Sequence, residues 1–260
     1  MHGWRARIGL LVPAINTIME PEIWRTAPDG VTVHSARIDG DREGTPDALR
    51  RMEGESLAAC ERVAKAQPHV VVYACTSGSF FEGRAGNERI RAQLEERAGV
   101  PAVTTAGAMA ASLAATGACK VAVVTPYVAG TNERLEAFLG EHGIGVTRLG
   151  TFDILDMFDH AKIQPSEVYR QVRETLTGQE DAVFVACTQV RALEVLDVLE
   201  RDLGLPVMSA VQATLWETYR CLGIDPGLRE YGSLLREMPE VPGRSSATVA
   251  GQSPARLHSA

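Results

Sequence analysis

The chain has 260 residues, of which 45% are hydrophobic and 23% are charged, and its formal net charge is −7. This composition is typical of a globular protein with one large or two small domains, and it excludes a wholly disordered chain. The acidic balance and the lack of a basic stripe exclude a general nucleic-acid binder. No segment approaches the ~20 apolar residues that a membrane span requires, so we expect no membrane partner.

Short β-branched runs alternate with longer stretches of helical period, which is typical of βαβ units and a parallel sheet. The strands predicted in the first half are Arg7–Val12, Val31–Arg37, Val70–Tyr73 and Ala102–Thr104, and those in the second half are Lys120–Val124, Gly145–Leu149, Ala182–Val185 and Pro206–Met208. Helices are predicted over Pro46–Ala66, Asn87–Ala98, Ala108–Thr116, Asn132–His142, Pro165–Leu176 and Val190–Asp202, with one or two closing helices in Trp216–Leu235.

The two halves repeat each other, since four strands recur in the same order at offsets of 104 to 114 residues. We therefore predict an α/β fold of two pseudo-symmetric domains, each a four-stranded parallel sheet flanked by helices, with the active site in the cleft between them. The first lobe is predicted to span residues 1–115 and to be closed by residues 210–237. The second lobe is predicted to span 116–209, and residues 238–260 to form a flexible tail.

Two of the five cysteines occupy equivalent places in this repeat. Cys75 and Cys187 each lie in an Ala-Cys-Thr tripeptide directly after the third strand of their half. Ligands bind at the carboxyl ends of strands in open α/β sheets, so two facing lobes would bring both thiols into one cleft. The alternative is that both are small buried hydrophobes, as free cysteines often are. The odd cysteine count, without zinc-binding spacing, speaks against disulfides or a metal and indicates a reducing cytoplasm.

Two opposed thiols can act on a planar acid without a metal or an organic cofactor. One thiol can remove a proton from one face while the other adds a proton to the opposite face, or one thiolate can add to a double bond while the other thiol moves a proton. The backbone amides of Thr76, Ser77 and Thr188 follow the thiols and are candidates to hold a carboxylate. The sequence has no Gly-x-Gly-x-x-Gly motif and no P-loop, so we expect no nucleotide cofactor.

With these motifs, the chain resembles the Asp/Glu racemase superfamily, and within it the branch of maleate cis–trans isomerases and the related arylmalonate decarboxylases. The resemblance spans about residues 7–225 and rests on Gly9-Leu-Leu-Val-Pro13 with Asn16-Thr17, Tyr73-Ala-Cys75-Thr-Ser-Gly-Ser79, Thr125-Pro-Tyr127, Ala186-Cys187-Thr188 and Gln212-Ala213 with Trp216.

The resemblance implies a cofactor-independent isomerase of a small dicarboxylate, with maleate to fumarate as the named case. Cys75 would add to the double bond, the covalent adduct would rotate about the resulting single bond, and Cys187 would handle the proton. The resemblance also implies that Asn16 and Tyr127 bind the substrate carboxylates, and that the chain forms a homodimer or a higher homo-oligomer.

Two positions depart from the family pattern. His160 stands where the family has an asparagine, and Val211 stands where it often has one. Because both positions are expected near the substrate pocket, the chain would admit a less polar substrate than maleate. His160 can still donate a hydrogen bond or act as an acid–base group near neutral pH, although a lone histidine is more often a structural residue.

Other interpretations stay open from the sequence alone. The two thiols also suit a racemase of aspartate-like or glutamate-like acids, and two similar lobes around a cleft also suit a non-catalytic binding protein. A decarboxylase of disubstituted malonates is a third alternative, although the related decarboxylases have a small residue in place of Cys75. The residues Thr17 to Glu20 have capping-box spacing, so the loop with Asn16 has the alternative role of starting a helix. An ordinary loop tyrosine and a turn residue are the alternatives for Tyr127 and Ser77.

Overall fold

The computed structural model describes residues 2–39, 42 and 45–240, and its strands form two four-stranded parallel sheets. The first sheet contains β1 (Ala6–Pro13), β2 (Val31–Ile38), β3 (Val70–Tyr73) and β4 (Ala102–Thr104), in the order β2-β1-β3-β4. The second contains β5 (Lys120–Thr125), β6 (Gly145–Thr151), β7 (Ala182–Val185) and β8 (Val207–Ser209), in the order β6-β5-β7-β8. The predicted fold class, two lobes with one four-stranded parallel sheet each, is confirmed.

Helices connect the strands and cover the sheets. They are α1 (Met19–Thr26), α2 (Pro46–Ala64), α3 (Thr76–Phe80), α4 (Gly83–Ala98), α5 (Thr105–Ala115), α6 (Ala129–Glu141), α7 (Pro165–Thr175), α8 (Leu196–Leu203), α9 (Ala210–Leu222) and α10 (Ser233–Glu237), with 3-10 turns at Asp159–Lys162 and Leu193–Val195. None of the helices in the described part of the chain is long and apolar enough to cross a membrane.

The predicted strands are all present, and β3, β4 and β7 have the predicted bounds. The helices α4, α5 and α6 begin three or four residues earlier than predicted, because their first turns contain glycine, which disfavours a helix in the sequence pattern. A side-chain cap can start such a turn. In α5, for example, the Thr104 hydroxyl accepts the Gly107 N–H at 3.2 Å. The helix predicted to start at Val190 begins only at Leu196, as α8, and the 3-10 turn Leu193–Val195 precedes it.

The two sheets end in the same way at their central strands. Both β3 and β7 are buried along their whole length, which explains their unbroken apolar sequences. Beyond β3 the Ala74 N–H donates to the Leu11 carbonyl at 2.8 Å, and beyond β7 the Ala186 N–H donates to the Val124 carbonyl, also at 2.8 Å. The next residue of each lobe is the cysteine, so the backbone delivers both cysteines to equivalent sheet edges.

After β8 the chain returns to the first lobe. Helix α9 packs against α5 and reaches β3 and β4 of the first sheet. The Thr214 hydroxyl donates to the Thr105 hydroxyl at 3.2 Å, and the Tyr219 hydroxyl donates to the Thr26 carbonyl at 3.3 Å. These contacts tie α9 to the first lobe. Most of the predicted tail, residues 241–260, lies outside the described residues.

Candidate active site

The two thiols border one small cavity between the lobes. Its volume is about 30 Å³, room for one or two water molecules, so a dicarboxylate can enter only if the surrounding loops or the lobes move apart. The lining combines residues predicted from the sequence with others that the sequence did not single out. They are Pro13, Ile15, Asn16, Cys75, Thr76, Ser77, Tyr127, Met157, Cys187, Thr188 and Gln189.

Cys75 is the N-cap residue of α3 and is buried. Its sulfur accepts the Gly78 N–H at 3.4 Å and lies 3.8 Å from the Ser77 hydroxyl. Burial raises the pKa of the Cys75 thiol, while these two hydrogen bonds act in the opposite direction because they stabilise the thiolate. The surroundings of Cys75 therefore supply hydrogen-bond donors to its sulfur.

Cys187 is also buried, but its backbone conformation is unusual. Its φ is +86°, a region that non-glycine residues rarely adopt, and such strain is typical of functional sites. The Cys187 sulfur accepts the Gln189 N–H at 3.4 Å and lies 3.7 Å from Nδ1 of His160. Burial raises the pKa of Cys187 to about 12, more than the hydrogen bond from the Gln189 amide and the nearby Tyr127 hydroxyl can offset.

Asn16 links the two lobes above the cavity. Its Nδ2 donates to the Thr188 hydroxyl at 3.2 Å, and that hydroxyl donates to the Ala74 carbonyl at 3.1 Å. The Asn16 side-chain oxygen accepts the N–H groups of Ile18 and Met19, at 3.0 and 2.9 Å. The capping box predicted from Thr17 was wrong, because Asn16 supplies the acceptor that starts α1. Asn16 thus combines the structural role with a place in the cavity wall.

Gln189 makes a second link between the lobes, which the sequence analysis missed. Its side-chain oxygen accepts the Thr17 N–H at 2.8 Å, and its Nε2 donates to the Ile15 carbonyl at 2.9 Å. Gln189 directly follows the second Ala-Cys-Thr tripeptide, and this position is the sequence feature that could have marked it as a residue of the site. With Asn16, it holds the loop after β1 against the loop after β7.

Two buried hydroxyls face the site without a partner. The hydroxyl oxygens of Tyr127 and Thr76 are both buried and make no hydrogen bond of normal geometry within the part of the chain that the structure describes, although the Tyr127 hydroxyl lies close enough to Thr76 and to the Cys187 sulfur to affect their electrostatics. Both residues line the cavity. Burial raises the pKa of Tyr127 well above its usual value, and the neighbouring Cys187 and Cys75 thiols raise it further. Because buried polar groups are normally hydrogen-bonded, these two hydroxyls are suited to a polar ligand.

Neither His160 nor Val211, the two residues expected near the substrate pocket, lines the cavity, and the two lie in different surroundings. His160 is buried behind Cys187, in contact with its sulfur, and its ring meets the Tyr127 ring edge-on at 5.9 Å. Val211 lies within α9, is 1% exposed, and does not border the cavity between the thiols. Because the Val211 side chain lies in the hydrophobic core, it makes no contact with the cavity through which it could change the substrate pocket directly.

Comparison with known proteins gives relatives over almost the whole chain. The family model described as arylmalonate decarboxylase matches residues 8–235. A maleate isomerase of Geobacillus stearothermophilus is 28% identical over 243 residues, covering 88% of this chain and 96% of the relative. An arylmalonate decarboxylase of Bordetella bronchiseptica is 28% identical over 233 residues, with the same two coverages.

Solved structures of the same two kinds of enzyme are similar to this chain over almost its whole length. A Nocardia farcinica maleate cis–trans isomerase variant with a covalently bound succinylcysteine intermediate has a TM-score of 0.84 and 26% identity, covering 89% of this chain and 98% of that chain. A maleate isomerase variant from Pseudomonas putida S16 with maleate has a TM-score of 0.82 and 30% identity, covering 89% and 97%. The chain belongs to the arylmalonate decarboxylase family and is an isomerase-type enzyme within it.

Proposed function

We propose that the chain is a cofactor-independent cis–trans isomerase of a small dicarboxylate, converting maleate or a substituted maleate to the trans acid. The observation that carries the proposal is the pair of thiols, Cys75 and Cys187, which border one small cavity from equivalent strand ends. The maleate isomerases among the relatives, one of them with a succinylcysteine intermediate, support this reaction.

The proposed reaction uses one thiolate and one thiol. The resemblance assigns the first step to the Cys75 thiolate, which adds to one alkene carbon while the π electrons move to the neighbouring carbon. The Cys187 thiol then gives its proton to that carbon, which leaves a succinyl group on Cys75 with a single bond where the double bond was. After rotation, the Cys187 thiolate takes the proton back, the carbon–sulfur bond breaks, and the trans double bond forms.

The cavity offers donors for the two substrate carboxylates. The unpartnered hydroxyls of Tyr127 and Thr76 line it, and the Asn16 amide lies beside them. We propose that these three groups bind the carboxylates, with the backbone amides at Ser77 and Thr188 completing the two binding sites.

The proposal is tested by incubating the purified protein with maleate and following fumarate by NMR. We expect turnover by the wild-type chain, a rate about 10³-fold lower for Cys75→Ser or Cys187→Ser, and a succinyl adduct on Cys75 by mass spectrometry in the Cys187→Ser variant. Failure to turn over maleate and alkyl-substituted maleates would remove the proposal. Full activity of both serine variants would instead favour a binding protein.

The racemase is the second candidate, because the same opposed thiols can exchange a proton on the two faces of one carbon. Incubation of single enantiomers of aspartate and glutamate in deuterium oxide separates the two reactions. Deuterium at the α-carbon together with loss of optical activity supports the racemase, whereas fumarate from maleate supports the isomerase.

We also propose, from the resemblance, that the chain acts as a homodimer or a higher homo-oligomer in the cytoplasm. Light scattering on the purified protein gives the mass in solution. A single-chain mass at all concentrations would exclude the oligomer.

A further inference from the structure

The protonation of His160 is set by its hydrogen-bond partner. Its Nε2 lies 3.0 Å from the carbonyl oxygen of Ile154, and a carbonyl oxygen can only accept a hydrogen bond. Nε2 therefore carries the hydrogen, and in the neutral ring Nδ1 has a free lone pair. That nitrogen is the one that lies 3.7 Å from the Cys187 sulfur. His160 thus presents a proton acceptor to Cys187.

Two thiols carry one proton more than the proposed reaction can use. Addition needs a thiolate, whereas protonation of the substrate carbon needs a thiol, so exactly one of the two protons must move elsewhere. Burial raises the pKa of both thiols, that of Cys187 to about 12, which opposes loss of a proton to solvent near neutral pH. A proton acceptor in contact with one of the thiols could take up this proton inside the protein.

We propose that Nδ1 of His160 holds the proton that the Cys75–Cys187 pair releases to form its single thiolate. The inference rests on the proposed function and specifies how its reactive state arises. The Cys187 S–H bond breaks and an Nδ1–H bond forms, which leaves a Cys187 thiolate beside an imidazolium. The Cys75 proton then moves to the Cys187 sulfur. The result is a Cys75 thiolate, a Cys187 thiol and a charged His160, with no proton lost to solvent.

The same charge serves the second half of the reaction. When Cys187 gives its proton to the substrate carbon, its new thiolate faces the His160 imidazolium across 3.7 Å instead of standing unpaired in the protein interior. An asparagine, which the family pattern has at this position, can donate a hydrogen bond but cannot take up a proton. The histidine therefore adds a function that the amide lacks.

Burial and the neighbouring charged groups shift the pKa of His160 in opposite directions. Burial lowers the pKa of His160, whereas the hydrogen bond to the Ile154 carbonyl and the carboxylates of Asp156 and Asp159, which precede it in sequence, raise it. Each of these carboxylates is paired with a cation, Asp156 with Arg42 at 2.6 Å and Asp159 with Lys162 at 2.7 Å.

On the cavity side of His160 stand the Cys187 thiol and the Tyr127 ring, whose own pKa is raised by burial. The resting ring is therefore neutral near pH 7, and a thiolate at Cys187 is what would draw a proton onto it.

The test measures thiolate formation without any substrate. The rate at which iodoacetamide alkylates Cys75 and Cys187 is determined by mass spectrometry between pH ~6 and ~8, for the wild type, His160→Asn and His160→Gln. We expect a nearly constant rate in the wild type, because the proton stays inside the protein. In both variants we expect a rise of about tenfold per pH unit, because the thiolate then forms only by losing its proton to solvent.

His142 provides the matched control. It is half-buried, burial also lowers its pKa, and it lies outside the cavity, so His142→Asn should keep the wild-type profile. Thermal unfolding confirms that each variant is folded, and a 15N NMR titration of His160 reports its protonation directly. Equal pH dependence in the wild type and His160→Asn would overturn the inference. A wild-type plateau without maleate turnover would leave the proton transfer in place and remove the proposed substrate.

Discussion

The segments after β3 and after β7 begin with the same tripeptide, Ala-Cys-Thr, and leave their sheets at equivalent points. After Cys75 the chain turns directly into α3, so the sulfur becomes the helix cap and receives hydrogen bonds from Gly78 and Ser77. At Cys187 itself the backbone is left-handed, and α8 begins only at Leu196.

The difference shows how a duplicated fold can acquire two distinct thiols. The sulfur of Cys75 receives these two hydrogen bonds, which favour a thiolate. The sulfur of Cys187 has two donors, the Gln189 amide and the Tyr127 hydroxyl, and a proton acceptor, His160. The repeated backbone brings both sulfurs to one cavity, and the unrepeated surroundings give them separate tasks. The following variants test this division, from the largest expected effect to the smallest.

Replacing either thiol tests whether both segments are needed. We expect Cys75→Ser and Cys187→Ser each to reduce the rate of maleate isomerisation by about 10³-fold, since acid–base and nucleophilic groups contribute at this scale. Steady-state kinetics by fumarate absorbance provide the measurement. Cys60→Ser, which alters a buried thiol outside the cavity, is the control and should keep the wild-type rate. A loss below about tenfold for one thiol would show that only the other is required.

Raising the pH should weaken the contact between α1 and the segment after Cys187. Burial raises the pKa of Glu22 from 4.5 to about 7, and Glu194 and Arg191 of that segment act on the same carboxyl. The folded state therefore binds the proton more tightly, so its stability falls as the pH rises from about 4.5 to 7, by about 3 kcal/mol in total.

Glu22→Gln removes this titration. Chemical unfolding at a series of pH values should show that the variant matches the wild type at low pH and exceeds it above pH ~7. Equal slopes in the two proteins would contradict the assignment to Glu22.

Gly78→Ala tests the hydrogen bonds of Cys75. A methyl group at this position would collide with the Tyr73 hydroxyl and lie 3.1 Å from the Cys75 sulfur. We expect the variant to lose about 1–3 kcal/mol of stability through overpacking, together with isomerase activity. Gly54→Ala is the matched control, because its methyl group meets nothing within 4 Å and the site lies within α2, so it should gain about 1 kcal/mol.

The smallest expected effect is a difference in stability between glycine and alanine at positions 75 and 187, where the backbone conformations differ. At position 187, where φ is +86°, glycine should be more stable than alanine by about 1 kcal/mol, because glycine adopts this conformation freely. At position 75, where φ is −131°, alanine should be the more stable by about 0.5–1 kcal/mol. Thermal unfolding of the four variants gives both differences, and the same sign at the two positions would show that Cys187 is not strained.

The sequence by itself determined the two parallel sheets, the strands that belong to each and the position of both thiols. Strands such as β3 and β7, buried on both faces, appear as unbroken apolar runs, and a repeat of such runs identifies a repeated lobe. The cysteines follow these runs directly, so their place at the sheet edge could be predicted without any tertiary contact.

The tertiary structure alone decided what surrounds each sulfur. Asn16 meets Thr188 across 172 residues, and His160 meets Cys187 across 27, and no local pattern records either contact. The same holds for the buried position of Val211 and for the left-handed backbone of Cys187. The Asn16 contact forms only when the two lobes meet, and the His160 contact forms only when the second lobe folds, whereas strand pattern depends on neighbours in the chain.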